Sequence, residues 1–144
     1  MRVAFQKLNS KAVEPRTMTE GSAGYDLFAA LEEPVRLKPG ARVLVSTGIS
    51  VAMPPNLEAQ VRSRSGLAVK YGVMVLNSPG TIDSDYRGEI RVLLANFGTE
   101  EILITNGDRV AQLVFNEVHR VILSLEDTLD ETQRGAGGFG STGV

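Results

Sequence analysis

Four stretches of this chain gather residue types that bind anions or move protons. The densest is Asn77-Ser78-Pro79-Gly80-Thr81-Ile82-Asp83-Ser84-Asp85-Tyr86-Arg87-Gly88-Glu89-Ile90. Asp85 to Gly88 has the composition of a tight hairpin turn, with strands entering through Thr81-Ile82 and leaving through Ile90. Asp83 stands beside that turn and next to apolar Ile82, where a rigidly held carboxylate can act as general base toward water. Asp85 reads as a turn former, the usual role of aspartate in such a place. Residue chemistry alone does not rank Asp83 above Asp26 or Asp85 as the base.

The second stretch is Arg62-Ser63-Arg64-Ser65-Gly66-Leu67. A serine and a glycine open a short helix expected over Ser65 to Tyr71, so free N–H groups and the positive end of the helix dipole would meet a phosphate there. The plainer reading is an N-cap serine beside solvated arginines. The third is Ala23-Gly24-Tyr25-Asp26-Leu27, where an aspartate on an otherwise apolar strand is either a hydrogen-bonded structural group or a carboxylate near a metal. The fourth is the tail from Arg134 to Val144, with five glycines and one large apolar side chain, Phe139. It cannot bury enough surface to offset its chain entropy, so alone it is expected to be mobile. Fully extended at roughly 3.3 Å per residue it reaches about 35 Å, enough to cross onto a neighbouring subunit. A glycine-rich tail is commonly a frayed end; with Arg134 and Phe139 it also has the makings of a flap that closes on a phosphate and a base.

The elements that must position these groups are mostly strands. Apolar residues recur at every second position in Arg42–Ser46, in Leu57, Ala59 and Val61, and in Ile90, Val92 and Leu94, the pattern of a sheet with one buried face. Val73–Leu76, Ile102–Ile104 and Leu113–Phe115 are short apolar runs expected to be more deeply buried strands. Turn formers punctuate them at Pro39-Gly40, Pro54-Pro55-Asn56, Ser78-Pro79-Gly80 and Asn106-Gly107-Asp108, which argues for an all-β barrel or jelly roll with a single short helix. Glu126–Thr132 reads as a polar surface connection. The expected organisation is one domain over 1–133 followed by the 134–144 flap.

Composition removes several chemistries. The chain has 144 residues, 42% hydrophobic and 22% charged, 15 glycines, no cysteine and one histidine. A thiolate or multi-histidine zinc site within one chain is therefore impossible, as is a cysteine nucleophile. His119 lies outside every motif and is taken as a structural or surface residue. The longest apolar run, Leu27 to Leu31, is too short for a membrane span or a signal peptide. A net charge of −2 gives no footprint for nucleic acid. What remains is a soluble, cytoplasmic protein working with carboxylates, arginines, hydroxyls and backbone. No Gly-x-x-x-x-Gly-Lys-Ser/Thr loop is present, so oligophosphate would be held by Arg64, Arg109, Arg134 and glycine turns.

At this point the motifs resemble, in order, the five of the homotrimeric deoxyuridine triphosphate nucleotidohydrolases, or dUTPases. Ala23-Gly24-Tyr25-Asp26-Leu27-Phe28-Ala29 is similar to the first and Arg64-Ser65-Gly66-Leu67-Ala68 to the second. Gly80 through Gly88 is similar to the third, Gly107-Asp108-Arg109-Val110-Ala111-Gln112-Leu113 to the fourth, and Arg134 through Gly143 to the fifth. One departure stands out: the family commonly carries proline before the second motif's arginine, and here it is Ser63. That change is expected to loosen the loop while removing no group that touches substrate.

The resemblance implies a jelly-roll subunit, three of which form active sites at their interfaces, with the fifth motif arriving from a neighbour. Asp83 would activate a water for in-line attack on the α-phosphorus of dUTP, and pyrophosphate would leave with Mg²⁺ bound across the phosphates. Tyr86 would pack on the deoxyribose, while backbone from Gly80 to Arg91, including Thr81 and Ile82, with Asn77 nearby, would read uracil. Arg64, Ser65, Gly66 and Gln112 would hold phosphates, and Asp26 would support the metal indirectly through water. Closure of the tail would stack Phe139 on the base and bring Arg134, Gly140, Ser141 and Thr142 to the phosphates. Such an enzyme limits uracil incorporation into DNA and supplies dUMP for thymidylate synthesis. A dCTP deaminase of the same fold and a non-catalytic deoxynucleotide-binding trimer are the alternatives.

Overall fold

The computed structural model describes residues 1–138, and the element order is almost entirely strand. The strands are β1 (Ala4–Lys7), β2 (Gly24–Phe28), β3 (Val35–Leu37), β4 (Arg42–Ala52) and β5 (Leu57–Arg62), then, after helix α1 (Ser65–Tyr71), β6 (Val73–Val75), β7 (Gly80–Ile82), β8 (Ile90–Asn96), β9 (Ile102–Ile104) and β10 (Arg109–Glu117). One sheet has the order β1-β4-β8-β6, a second β2-β10-β5-β7, and β3 pairs with β9. Every pairing is antiparallel, as a jelly roll requires.

The alternation seen in sequence becomes the core. In β5, Leu57, Ala59 and Val61 are buried and their neighbours are half-exposed. They meet Val45, Ile49, Ile90, Val92 and Leu94 from the other sheet, and Leu27, Ala111 and Leu113 from their own. β4 runs on past Ser46, the expected end of its alternation, because a bulge between Ser46 and Ile49 restores the pairing with β8. Gly48 makes the bulge with φ +66°, and a Cβ there would lie 2.7 Å from the Ala12 methyl. The buried Thr47 hydroxyl donates to the Ile90 carbonyl at the same place.

Two expectations about strands fail. β6 and β9 are not buried on both faces: Met74 and Leu103 are exposed, because β6 is an edge strand and β9 belongs to a two-stranded ribbon. The third motif is not a hairpin either. β7 pairs with β5 and β8 pairs with β4 and β6, so the segment between Ile82 and Ile90 crosses from one sheet to the other. β8 has partners on both sides, and the free edge open to β7 is that of β5.

The helix forms where expected, over Ser65–Tyr71, and ends at Gly72 with φ +67°. Gly72 donates back to the Ala68 carbonyl, a left-handed cap that suits glycine. Among the described residues no helix is long and apolar enough to cross a membrane. Beyond β10, residues 118–138 have no regular structure and residues 118–136 are exposed; Ile122, Leu123 and Leu125 are each more than 90% exposed. His119 is exposed as well.

Candidate active site

The end of β5 and the start of β10 carry a cluster of charge. The Arg64 Nε donates to Asp26 Oδ1 at 3.1 Å, and the Arg109 Nη1 donates to Asp26 Oδ2 at 3.1 Å. Arg64 Nη1 also donates to the Arg109 carbonyl at 3.0 Å, so the two arginines are locked side by side. Asp26 is brought here by β2–β10 pairing, which places it opposite Gln112. Arg109 is aimed by the turn before it: Gly107 adopts φ +84°, and Asp108 Oδ2 accepts from the Thr105 N–H and hydroxyl. Asp26 is buried and Arg64 mostly so, whereas Arg109 is half-exposed, which makes this an organised cationic surface rather than a sealed pair.

The helix begins at this cluster. Arg64, not Ser65, is the N-cap residue, and no side chain caps the first turn. No acidic residue lies in that turn, so Ser65 and Gly66 present N–H groups and a hydroxyl outward beside two guanidinium groups. Gln112 completes the group by donating its Nε2 to the Ser63 carbonyl at 2.9 Å, and it packs so closely on Gly24 that a Cβ there would be 2.3 Å from its Oε1. Ser63 is tied, not loosened: its Oγ accepts from the Val75 N–H at 2.9 Å. Its two bonds hold the residue before Arg64 in place.

A second, shallower cleft of about 300 Å³ is lined by Leu44, Thr81, Ile82, Asp83, Tyr86, Glu89 and Arg91. Its floor is set by backbone. Gly80 is buried, and a Cβ on it would be 3.1 Å from Asn77 Nδ2. The hydroxyl end of the Tyr86 ring packs against Gly88, where a Cβ would fall 2.4 Å from the Tyr86 Oη. That hydroxyl donates to the Glu89 carbonyl at 3.0 Å, the Tyr86 N–H donates to the Asp83 carbonyl, and Arg87 Nη1 donates to the carbonyls of Ser84 and Tyr86. Asp85 sits in the turn, as a turn former should. The Asp83 carboxylate is exposed, and among the described residues nothing donates to it, so it is available to a water.

The two clusters are not adjacent. Ile82 faces Ala59 in β5, which sets Asp83 level with Glu58, while Arg64 lies beyond the other end of the strand. Six residues at roughly 3.3 Å each separate them by about 20 Å. Arg134 is near neither by hydrogen bonding; its Nε donates to the Gly137 carbonyl within the tail. Phe139, Gly140, Ser141 and Thr142 lie outside the described residues.

Chain-held metal does not fit this donor set. Among the described residues no three acidic or histidine side chains converge. Asp26 has an arginine on each oxygen, so direct ligation would break both pairs. A divalent cation fits only if a triphosphate carries it in.

Sequence reasoning named Gly88 and Glu89 only as part of the third motif's backbone and missed the packing of Gly88 on Tyr86 and the anchoring role of the Glu89 side chain. Glu89 Oε1 accepts from the Gly48 N–H at 2.8 Å, anchoring the crossing segment to the bulge in β4. No spacing connects residues 48 and 89.

With the geometry in hand, a family model for dUTPase matches residues 10–143. The chain belongs to the dUTPase family. A deoxyuridine 5'-triphosphate nucleotidohydrolase from Treponema denticola is 54% identical over 140 residues, covering 97% of each chain. Two solved dUTPases share the fold. One, a variant from Staphylococcus bacteriophage 80alpha with dUpNHpp, superposes with a TM-score of 0.88 at 24% identity over 99% of both chains. The other, a variant from phage phi11 of S. aureus described with a structural Mg(II) ion, has a TM-score of 0.81 at 23% identity over 89% of this chain and 98% of that one.

Proposed function

We propose that this dUTPase-family chain hydrolyses dUTP to dUMP and pyrophosphate at a site built from the two clusters on different copies of the chain. The observation that carries the reading is their placement at opposite ends of β5; on it, one chain would grip phosphates at Arg64 and the nucleoside cleft with Asp83 would belong to another. A homotrimer is the assembly we propose, as the family resemblance implies. The run of exposed Val121, Ile122, Leu123, Leu125 and Leu129 supports it, since so much contiguous apolar surface is normally covered by a partner.

In this reading the Ser65 and Gly66 N–H groups, the Ser65 hydroxyl, Arg64 and Gln112 hold the triphosphate. Asp83 takes the proton of a water that attacks the α-phosphorus in line. Gly80, Thr81, Ile82 and Arg91, with Asn77, read uracil along the backbone and leave no room for a 5-methyl group. Tyr86 covers the deoxyribose and crowds out a 2'-hydroxyl. Mg²⁺ brought in with the triphosphate would supply positive charge for the leaving pyrophosphate. Asp26 meets it only through water. The 134–144 tail closes over the site with Arg134, Phe139, Gly140, Ser141 and Thr142, expelling bulk water. A cytoplasmic location belongs to the same proposal.

The test is substrate choice. With Mg²⁺ present, pyrophosphate release is expected from dUTP and not from UTP, dTTP or dCTP. Ammonia from dCTP, or no turnover with dUTP, sinks the proposal.

A further inference from the structure

Ser63, the residue before the Arg64–Gly66 turn, carries more contacts than a loop residue needs. Its hydroxyl accepts from Val75 N and its carbonyl from Gln112 Nε2, both at 2.9 Å. Val75 is wholly buried in β6, the edge strand of its sheet. Leu76 N donates to the Leu93 carbonyl of β8, so by antiparallel alternation the Val75 N–H points the other way, off the sheet's open edge. A buried N–H there needs an acceptor, and the Ser63 hydroxyl is the one it has. A proline at 63 has no such oxygen.

We propose that Ser63 is a positioning residue for triphosphate binding: it ties the Arg64–Gly66 turn to β6 through its hydroxyl and to β10 through its carbonyl, fixing the helix start relative to Asp26. This rests on the reading that the Asp26 end of the chain holds the phosphates.

The test compares the full-length protein with Ser63→Ala and Ser63→Thr by three readouts. Amide exchange at Val75 is expected to quicken by about tenfold in Ser63→Ala as its hydrogen bond is lost. The dissociation constant for inorganic triphosphate should rise about three- to tenfold, the worth of one such bond, while that for deoxyuridine stays put. Ser63→Thr, which keeps the hydroxyl, should restore both. Unchanged Val75 exchange in Ser63→Ala overturns the tie, and equal weakening of deoxyuridine and triphosphate reduces it to general destabilisation, which also overturns it. Failure of the threonine to rescue does the same. A wild-type protein that binds triphosphate but leaves dUTP intact removes the proposed function and leaves this inference standing or falling on its own readouts.

Discussion

The two ends of β5 hold their groups by opposite means. At the Arg64 end, charged side chains organise one another: one buried carboxylate spans two arginines, and a third bond joins Arg64 to the Arg109 backbone. At the Asp83 end, the shape comes from backbone, with a glycine under a tyrosine ring and carbonyls accepting from Tyr86 and Arg87. The first end is suited to a ligand that is mostly charge. The second is suited to a neutral ring whose identity depends on where a few hydrogen-bonding atoms fall. Recognition of charge tolerates side-chain motion, and recognition of a base does not, so each region is built of the material its proposed task would need.

The sharpest way to break this contrast is at the reacting atom. Asp83→Asn keeps the cleft's shape and removes the base, so dUTP binding should persist while turnover falls by roughly 10²–10⁴. Near-normal turnover would move the base elsewhere. Whether the two ends serve one site is tested by co-expressing Asp83→Asn with Arg64→Ala. Each alone should be poor, and the mixed assembly should recover about a quarter of wild-type activity, because random association of two chain types leaves that share of sites intact. No recovery would mean that both ends belong to one chain's site.

Asp26→Asn probes the charged end. Losing two ion pairs to a buried carboxylate should lower stability by about 2–3 kcal/mol in urea unfolding, less than a fully buried pair because Arg109 is half-exposed. The KM for dUTP should rise with it, while discrimination against UTP is untouched. Gly88→Ala does the reverse at the backbone-built end. The added methyl must displace the Tyr86 ring, so preference for dUTP over UTP should shrink by about tenfold with phosphate binding preserved. If Asp26→Asn altered sugar choice, or Gly88→Ala weakened pyrophosphate binding, the division of labour would fail.

Much of this was legible in the sequence, for reasons that can be located. β5 shows every apolar residue inward because both its sheet neighbours leave it one core face. The helix was readable because Gly72 could end it and Leu67 could pack one side of it. The third motif was misread as a hairpin since turn residues specify a reversal but not which strands it joins; that depends on the occupied edges of β8. Asp26, Arg64 and Gln112 were found as candidates, yet the sequence left Asp26 divided between structure and metal. The answer required seeing both its oxygens on arginines brought from 38 and 83 residues away. Ser63 and Glu89 were invisible as positioning groups because each reaches a backbone N–H on another strand.

The carboxylate between the two arginines has a further consequence for turnover. Asp26 pairs with both Arg64 and Arg109, so at the proposed phosphate site an incoming phosphate would share those guanidinium groups instead of claiming them. On the proposed function, that would set a ceiling on how tightly a freed pyrophosphate can linger. A site that gripped with unopposed guanidinium groups would hold its product after the bond was cut; with Asp26 as a competitor already in place, departure would be built into the grip.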